Sequence, residues 1–123
     1  MAELSFPAST GVFTVREEIH GSDCLCRVVD SRLEARNAFA LKKYLQERLR
    51  AGPGRIILDL STVAFIDSSG LGALIGGLKA APRKNAFMLV RPVDTVISVF
   101  RVTRTEALFT WADSVEAALA AAS

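Results

Sequence analysis

The run Arg55-Ile56-Ile57-Leu58-Asp59-Leu60 constrains this chain more than any other stretch. Its apolar residues do not alternate with polar ones, so no face of such a strand is left for water. That is the pattern of a strand buried on both sides. It needs cover above and below, and the neighbouring sequence offers helices. Ahead of it, Ala38, Leu41, Leu45 and Leu49 recur at helical spacing over Ala35 to Arg50, with Phe39 beside them. Lys42, Lys43, Gln46, Glu47, Arg48 and Arg50 form the solvent side of that helix. Behind the strand, Leu71, Leu74, Ile75 and Leu78 make a second helical stripe that ends near Ala81.

The remaining segments extend this alternation. Val12 to Ile19 reads as an amphipathic strand, His20-Gly21-Ser22-Asp23 as a turn and Cys24 to Val29 as a second strand, together an antiparallel hairpin. Ala51-Gly52-Pro53-Gly54 stops the first helix. Ala81 to Asn85 breaks the second, and Ala86 to Val90 is another apolar strand. Pro92 opens a third helix over Val93 to about Thr103, with Val93, Ile97 and Phe100 as its core stripe. Leu108 to Trp111 is a last short strand, and Asp113-Ser114-Val115-Glu116 is a capping box for a final alanine-rich helix. The order β-β-α-β-α-β-α-β-α predicts an α/β fold: a mostly parallel mixed sheet of about five strands with an antiparallel edge hairpin, packed with about four helices. Residues 1–11 show no clear period and are read as an extended N-terminal arm or an irregular edge; residues 12–123 are read as a single domain, enough chain for a core of its own.

Charge and composition exclude several classes of function. The net charge is +2, and the basic residues are scattered singly or in pairs such as Lys42-Lys43, without interleaved aromatics. That argues against nucleic-acid binding. The apolar runs fall short of a membrane span and the start has no basic-then-apolar leader, so no membrane association and a cytoplasmic location are expected. Cys24 and Cys26 share one face of a strand and read as small core hydrophobes. A disulfide would strain so short a loop, and zinc would need more ligands than these and His20, so neither a metal nor another cofactor is expected.

Chemistry concentrates in Ile66-Asp67-Ser68-Ser69-Gly70-Leu71-Gly72, a strand end, a short loop and a helix start. Two glycines in a first turn cost about 1 kcal/mol each relative to alanine, so this backbone must be kept bare for a reason. Ser68 is expected at the N-cap, worth about 1 kcal/mol, with Ser69 at the first helical position. The helix's small residues, Gly70, Gly72, Ala73, Gly76 and Gly77, either present a low docking face or allow close packing inside the protein. Catalysis has little support. His20 sits in a hairpin turn, and Asp59 and Asp67 have no base or metal constellation. Gly76 falls one residue late for G-x-G-x-x-G, and no G-K-[ST] follows.

The segment Arg55 to Leu60 followed by Phe65-Ile66-Asp67-Ser68-Ser69-Gly70-Leu71-Gly72 resembles the signature of STAS domains, and within them the bacterial anti-sigma factor antagonists. The similarity runs from about Val12 to Ala120. It includes Ser31-Arg32-Leu33-Glu34, where the family has G-x-L-D, and Pro92 to Phe109. The resemblance implies the STAS fold and partner switching. The unmodified antagonist binds a serine kinase that doubles as an anti-sigma factor, and phosphorylation at the serine after the aspartate, here Ser68 (alternatively Ser69), releases it. A metal-dependent serine phosphatase resets the switch. Partner contacts are then expected at Glu34, Asp67, Ser69, Gly70, Gly72, Ala73 and Gly76, with Val96 or Val99 either joining them or packing in the core. Such a protein is a substrate and a binding module, not an enzyme. The alternative within the family is a STAS module that is never phosphorylated and serves as a structural or lipid-transport subunit. Ser31 and Glu34 depart from the family's glycine and aspartate. Thr103-Arg104-Thr105 stands where the family has Thr-Gly-Leu, so the third helix is expected to end differently.

Overall fold

In the computed structural model, which describes residues 1–52 and 54–121, the alternation folds as twelve α-helices and β-strands, with two short 3-10 helices between them. They are β1 (Ala2–Pro7), β2 (Val12–His20), β3 (Asp23–Val28), β4 (Arg32–Leu33), α1 (Ala35–Ala51), β5 (Ile56–Asp59), β6 (Phe65–Ile66), α2 (Ser68–Ala80), β7 (Phe87–Val90), α3 (Asp94–Val102), β8 (Thr110–Ala112) and α4 (Val115–Ala120). Pro53, expected to help stop α1, and Ala122 and Ser123, the end of the expected domain, lie outside the described residues.

Six strands form one sheet in the order β1-β2-β3-β5-β7-β8. The first three pair antiparallel and the rest parallel. The apolar run is the buried interior strand its composition predicts. Ile56 and Leu58 of β5 join the main core, while Ile57 joins a smaller core on the opposite face. The main core holds the inner faces of α1, α2 and α3 against the sheet, through Leu41, Leu45, Leu74 and Phe100 among others. Each such fully buried side chain contributes about 1.5–3 kcal/mol, which is why these amphipathic segments become helices here. On the opposite face α4 covers Leu25, Ile57, Met88 and Val90 with Ala118.

The structure corrects four expectations. The start of the chain is a regular edge strand, neither an arm nor an irregular edge: Ala2–Pro7 pairs with β2, Ala2 opposite Glu17 and Pro7 opposite Val12. Leu4 and Phe6 turn onto the main core while Glu3 and Ser5 face water, so the main sheet has six strands and the predicted hairpin lies one strand in from the edge. Phe39 does not accompany the α1 core stripe; it is 77% exposed. Val93, assigned to the core stripe of α3, is an exposed N-cap, whereas Ile97 and Phe100 are buried. The end of α3 keeps a left-handed close although it lacks glycine. Arg104 adopts φ 59°, its N–H donates to the Arg101 carbonyl at 3.1 Å, and the Thr105 N–H donates to the Phe100 carbonyl at 2.9 Å. That is a Schellman close with arginine in the position glycine usually takes.

Candidate functional site

The signature segment is positioned by a second, two-stranded sheet that its sequence hardly announces. β4 and β6 pair in parallel, Arg32 opposite Phe65 and Leu33 opposite Ile66. The Leu33 carbonyl then accepts the Asp67 N–H at 3.1 Å, which holds the chain extended just before α2 begins. Arg32 secures the outer side of this pair. Its guanidinium lies 3.9 Å from the centre of the Phe65 ring, and its Nε donates to the Glu34 carboxylate at 3.3 Å.

Asp67, not Ser68, is the N-cap of α2. Its backbone is extended, with φ −108°, and Oδ1 accepts the Gly70 N–H at 2.9 Å. The carboxylate reaches the third helical N–H, so Ser68 takes up the first helical position and Ser69 the second. The other oxygen, Oδ2, accepts the N–H of Ala35 at 3.3 Å, and Ala35 is the first residue of α1. One carboxylate therefore sits at two helix starts, where exposed N–H groups and both helix dipoles favour a negative charge. Glu34 caps α1 from the other side of this junction. Its N–H donates to the Asn37 side chain at 3.0 Å, while its carboxylate is turned to Arg32. Asn37 is fully buried, and its Nδ2 donates to Asp30 and to the Arg32 carbonyl, fixing the first turn of α1 to the strand before it.

Ser68 and Ser69 are exposed, and neither hydroxyl bonds another group among the described residues. The small residues of α2 divide into two sets. A Cβ on Gly70 would lie 2.4 Å from the Leu33 carbonyl oxygen, on Gly76 2.9 Å from the Lys42 side chain, and on Gly77 3.0 Å from Leu45. Those three glycines, with buried Ala73, let α2 lie close to β4 and α1. A Cβ on Gly72 would meet nothing within 4 Å, so Gly72 alone presents bare backbone to the outside. Of the expected partner contacts, Asp67, Ser68, Ser69 and Gly72 thus share the rim of one helix start with half-buried Glu34, whereas Gly70, Ala73 and Gly76 are packing residues. Val96 is 1% exposed and belongs to the core, and half-buried Val99 packs against it. Asp59 does not join Asp67. It is buried, bonded to Arg27 at 3.2 Å and to the Ser61 N–H at 2.9 Å. No described helix is long and apolar enough to cross a membrane.

The profile of the STAS domain family matches residues 12–118. A candidate anti-sigma factor antagonist of Thermotoga neapolitana is 31% identical over 99 residues, 79% of this chain and 88% of that protein. The crystal structure of a candidate anti-sigma factor antagonist from Thermotoga maritima superposes with a TM-score of 0.67 at 26% identity, covering 83% of this chain and 88% of its own. The anti-sigma factor antagonist SpoIIAA in its unphosphorylated form shares the fold at TM-score 0.65 and 21% identity, covering 84% of this chain and 91% of its own. SpoIIAA from Bacillus in its phosphorylated form does so at TM-score 0.59 and 19% identity, over 84% and 95%. Anti-sigma factor antagonists of this kind are regulators rather than enzymes. By its profile and its fold, this chain belongs to the STAS domain family, alongside anti-sigma factor antagonists.

Proposed function

We propose that this protein is an anti-sigma factor antagonist in a cytoplasmic partner-switching circuit, with Ser68 as its phosphorylation site. The observation that carries the reading is an exposed Ser68 hydroxyl with no partner among the described residues, on the first turn of α2 and beside a carboxylate that already does the capping. A serine that capped the helix would have its oxygen engaged; this one is free to be modified without loss of the cap. Gly72, one turn along, leaves room for a kinase to bring its active site against the turn. In the unphosphorylated form the rim of Ser68, Ser69 and Gly72 binds a serine kinase that also serves as the anti-sigma factor.

Phosphorylation adds about −1.5 to −2 charge next to Asp67. The same phosphate lies at a helix N-terminus, which favours an anion by about 0.3–1 kcal/mol. These local effects oppose each other, so the fold survives and the switch acts at the interface, by bulk and by repulsion of partner carboxylates. A metal-dependent serine phosphatase restores the binding form. The test is to incubate the protein with its cognate kinase and ATP and follow intact mass and complex formation. One added phosphate, abolished in Ser68→Ala and accompanied by release of the kinase, is the expected result. A phosphate retained in Ser68→Ala moves the site to Ser69. No phosphate with the kinase that binds the protein overturns the reading in favour of a STAS module that works without the switch.

A further inference from the structure

Apart from the Ser68 site, the fold assembles a donor set that the sequence reading took for plain packing. Glu17 on β2 stands directly opposite Cys26 on β3, and Cys24 precedes Cys26 by two residues on the same face. The two Sγ atoms are 3.6 Å apart, and a carboxylate oxygen of Glu17 and both sulfurs lie within 4.8 Å of one another. All three residues are buried, with Cys26 completely so. A buried carboxylate beside two thiols is an expensive way to fill a core, and its cost calls for specific partners. Those partners are present. Tyr44 donates its hydroxyl proton to one Glu17 oxygen, and its own oxygen lies 2.8 Å from Cys26 Sγ. Arg48 donates to the other Glu17 oxygen at 2.6 Å.

We propose that Glu17, Cys24 and Cys26 form a binding site for one thiophilic divalent cation, Zn2+ in the cell, with the fourth position open to solvent. Tetrahedral zinc with Zn–S bonds of about 2.3 Å sets its two sulfurs about 3.8 Å apart, so these thiols need to move only slightly. Charge closes as well. Glu17 and Arg48 with two neutral thiols sum to zero. The divalent cation with two thiolates, Glu17 and Arg48 also sums to zero, two protons leaving as the ion enters. Tyr44 and Arg48 hold the carboxylate in place, the role that outer-shell groups play at metal centres. Access is through Cys24, which lines a surface pocket of about 200 Å³ with Ile19, Arg48, Gly52 and Ile56.

The test is titration of the reduced protein with Cd2+ as a spectroscopic probe and Zn2+ as competitor. Expected are a thiolate-to-cadmium charge-transfer band that saturates at one equivalent, release of two protons per ion, and displacement of Cd2+ by excess Zn2+. Cys24→Ala should weaken binding by at least about a hundredfold and Glu17→Gln by about ten- to a hundredfold, since even outer-shell losses reach that range. Absence of the band at one equivalent, binding without proton release, or unchanged affinity in Cys24→Ala overturns the proposal. Should either variant fail to fold, the wild-type thermal midpoint decides. It must rise with Zn2+ in excess and return on chelation, because an ion bound only by the folded state stabilises it. A midpoint that does not move overturns the site.

Discussion

Replacing Gly70 and Gly72 with alanine should shift stability in opposite directions, although the two residues are two positions apart on one helix. Alanine in a helix interior is favoured over glycine by about 1 kcal/mol. At Gly72 nothing opposes this gain, because the new Cβ meets no atom within 4 Å. Gly72→Ala should therefore stabilise the protein by about 0.5–1 kcal/mol, a rise in the thermal midpoint of about 2–5 °C for a chain of this size. At Gly70 the Cβ would stand 2.4 Å from the carbonyl oxygen of Leu33 and 2.8 Å from its carbon. Both are backbone atoms of β4, so no rotamer change relieves the contact, and the helix start must retreat by more than half an ångström. Overpacking of this kind costs about 1–3 kcal/mol. The retreat also loosens the Asp67 cap and the bond from its N–H to Leu33, the cap alone being worth about 1 kcal/mol. After the helical gain is subtracted, Gly70→Ala should lose roughly 2 kcal/mol. Urea unfolding of both variants decides the matter, read as midpoint shifts at unchanged slope. A Gly70→Ala midpoint at or above wild type, or a Gly72→Ala midpoint below it, refutes the division of the glycines into packing and open positions. Because Gly72→Ala should not weaken the fold, any loss of phosphorylation or partner binding in that variant reports the surface alone.

Asp67→Ala removes the acceptor for the Gly70 and Ala35 N–H groups, and should cost about 1–2 kcal/mol while speeding amide exchange at both helix starts. Protection lost at α2 alone would refute the shared cap. Asp23→Ala leaves Arg55, 3% exposed, without the carboxylate that it contacts at 2.8 Å and 3.2 Å, and should cost about 3 kcal/mol at neutral pH. The hydrogen bonds and charge of Arg55 hold the Asp23 carboxyl below its usual pKa. The pair's contribution is then complete above pH of about 4 and is lost as pH falls through the folded-state value. Chemical denaturation should show the gap between wild type and variant closing in acid, and a constant gap down to pH of about 2 would refute the linkage. Arg104→Gly should raise stability by about 0.5–1 kcal/mol, because a left-handed conformation costs a residue with a Cβ about 1–2 kcal/mol and the added freedom of the unfolded chain returns part of it. A lower melting temperature would show that the exposed arginine side chain contributes more than its backbone costs.

Most of the architecture was legible in the sequence because it rests on long periodic runs. The unbroken apolar stretch before Leu60 could only be an interior strand, and the spacing of Leu41, Leu45 and Leu49 could only be a helix facing it. What escaped lacked such length. β1 alternates through Leu4 and Phe6 alone, and its pairing is supplied by β2 across the turn. β4 and β6 are two residues each, too short for any period, yet they hold the candidate site in place. The candidate segment was visible by composition, but its division of labour was not. Whether a serine or the aspartate before it caps a helix depends on where the extended backbone ends, and here the Leu33 carbonyl decides that by holding the Asp67 N–H. The glycines were ambiguous for a related reason. Bare backbone looks the same in sequence whether a partner or β4 lies against it. Glu17 gave no signal towards Cys24 and Cys26, because cross-strand register brings them together and spacing along the chain does not.

The carboxylate of Asp67 makes the starts of α1 and α2 a single lever. A load applied at Ser68 passes to Asp67, its covalent neighbour, and from there through one oxygen to the first amide of α1. It need not cross the core. Coupling of this kind is reciprocal, so strain placed on the first turn of α1 is carried back through the same oxygen towards Ser68. The proposed switch then has two handles, and Ser68 is only one of them.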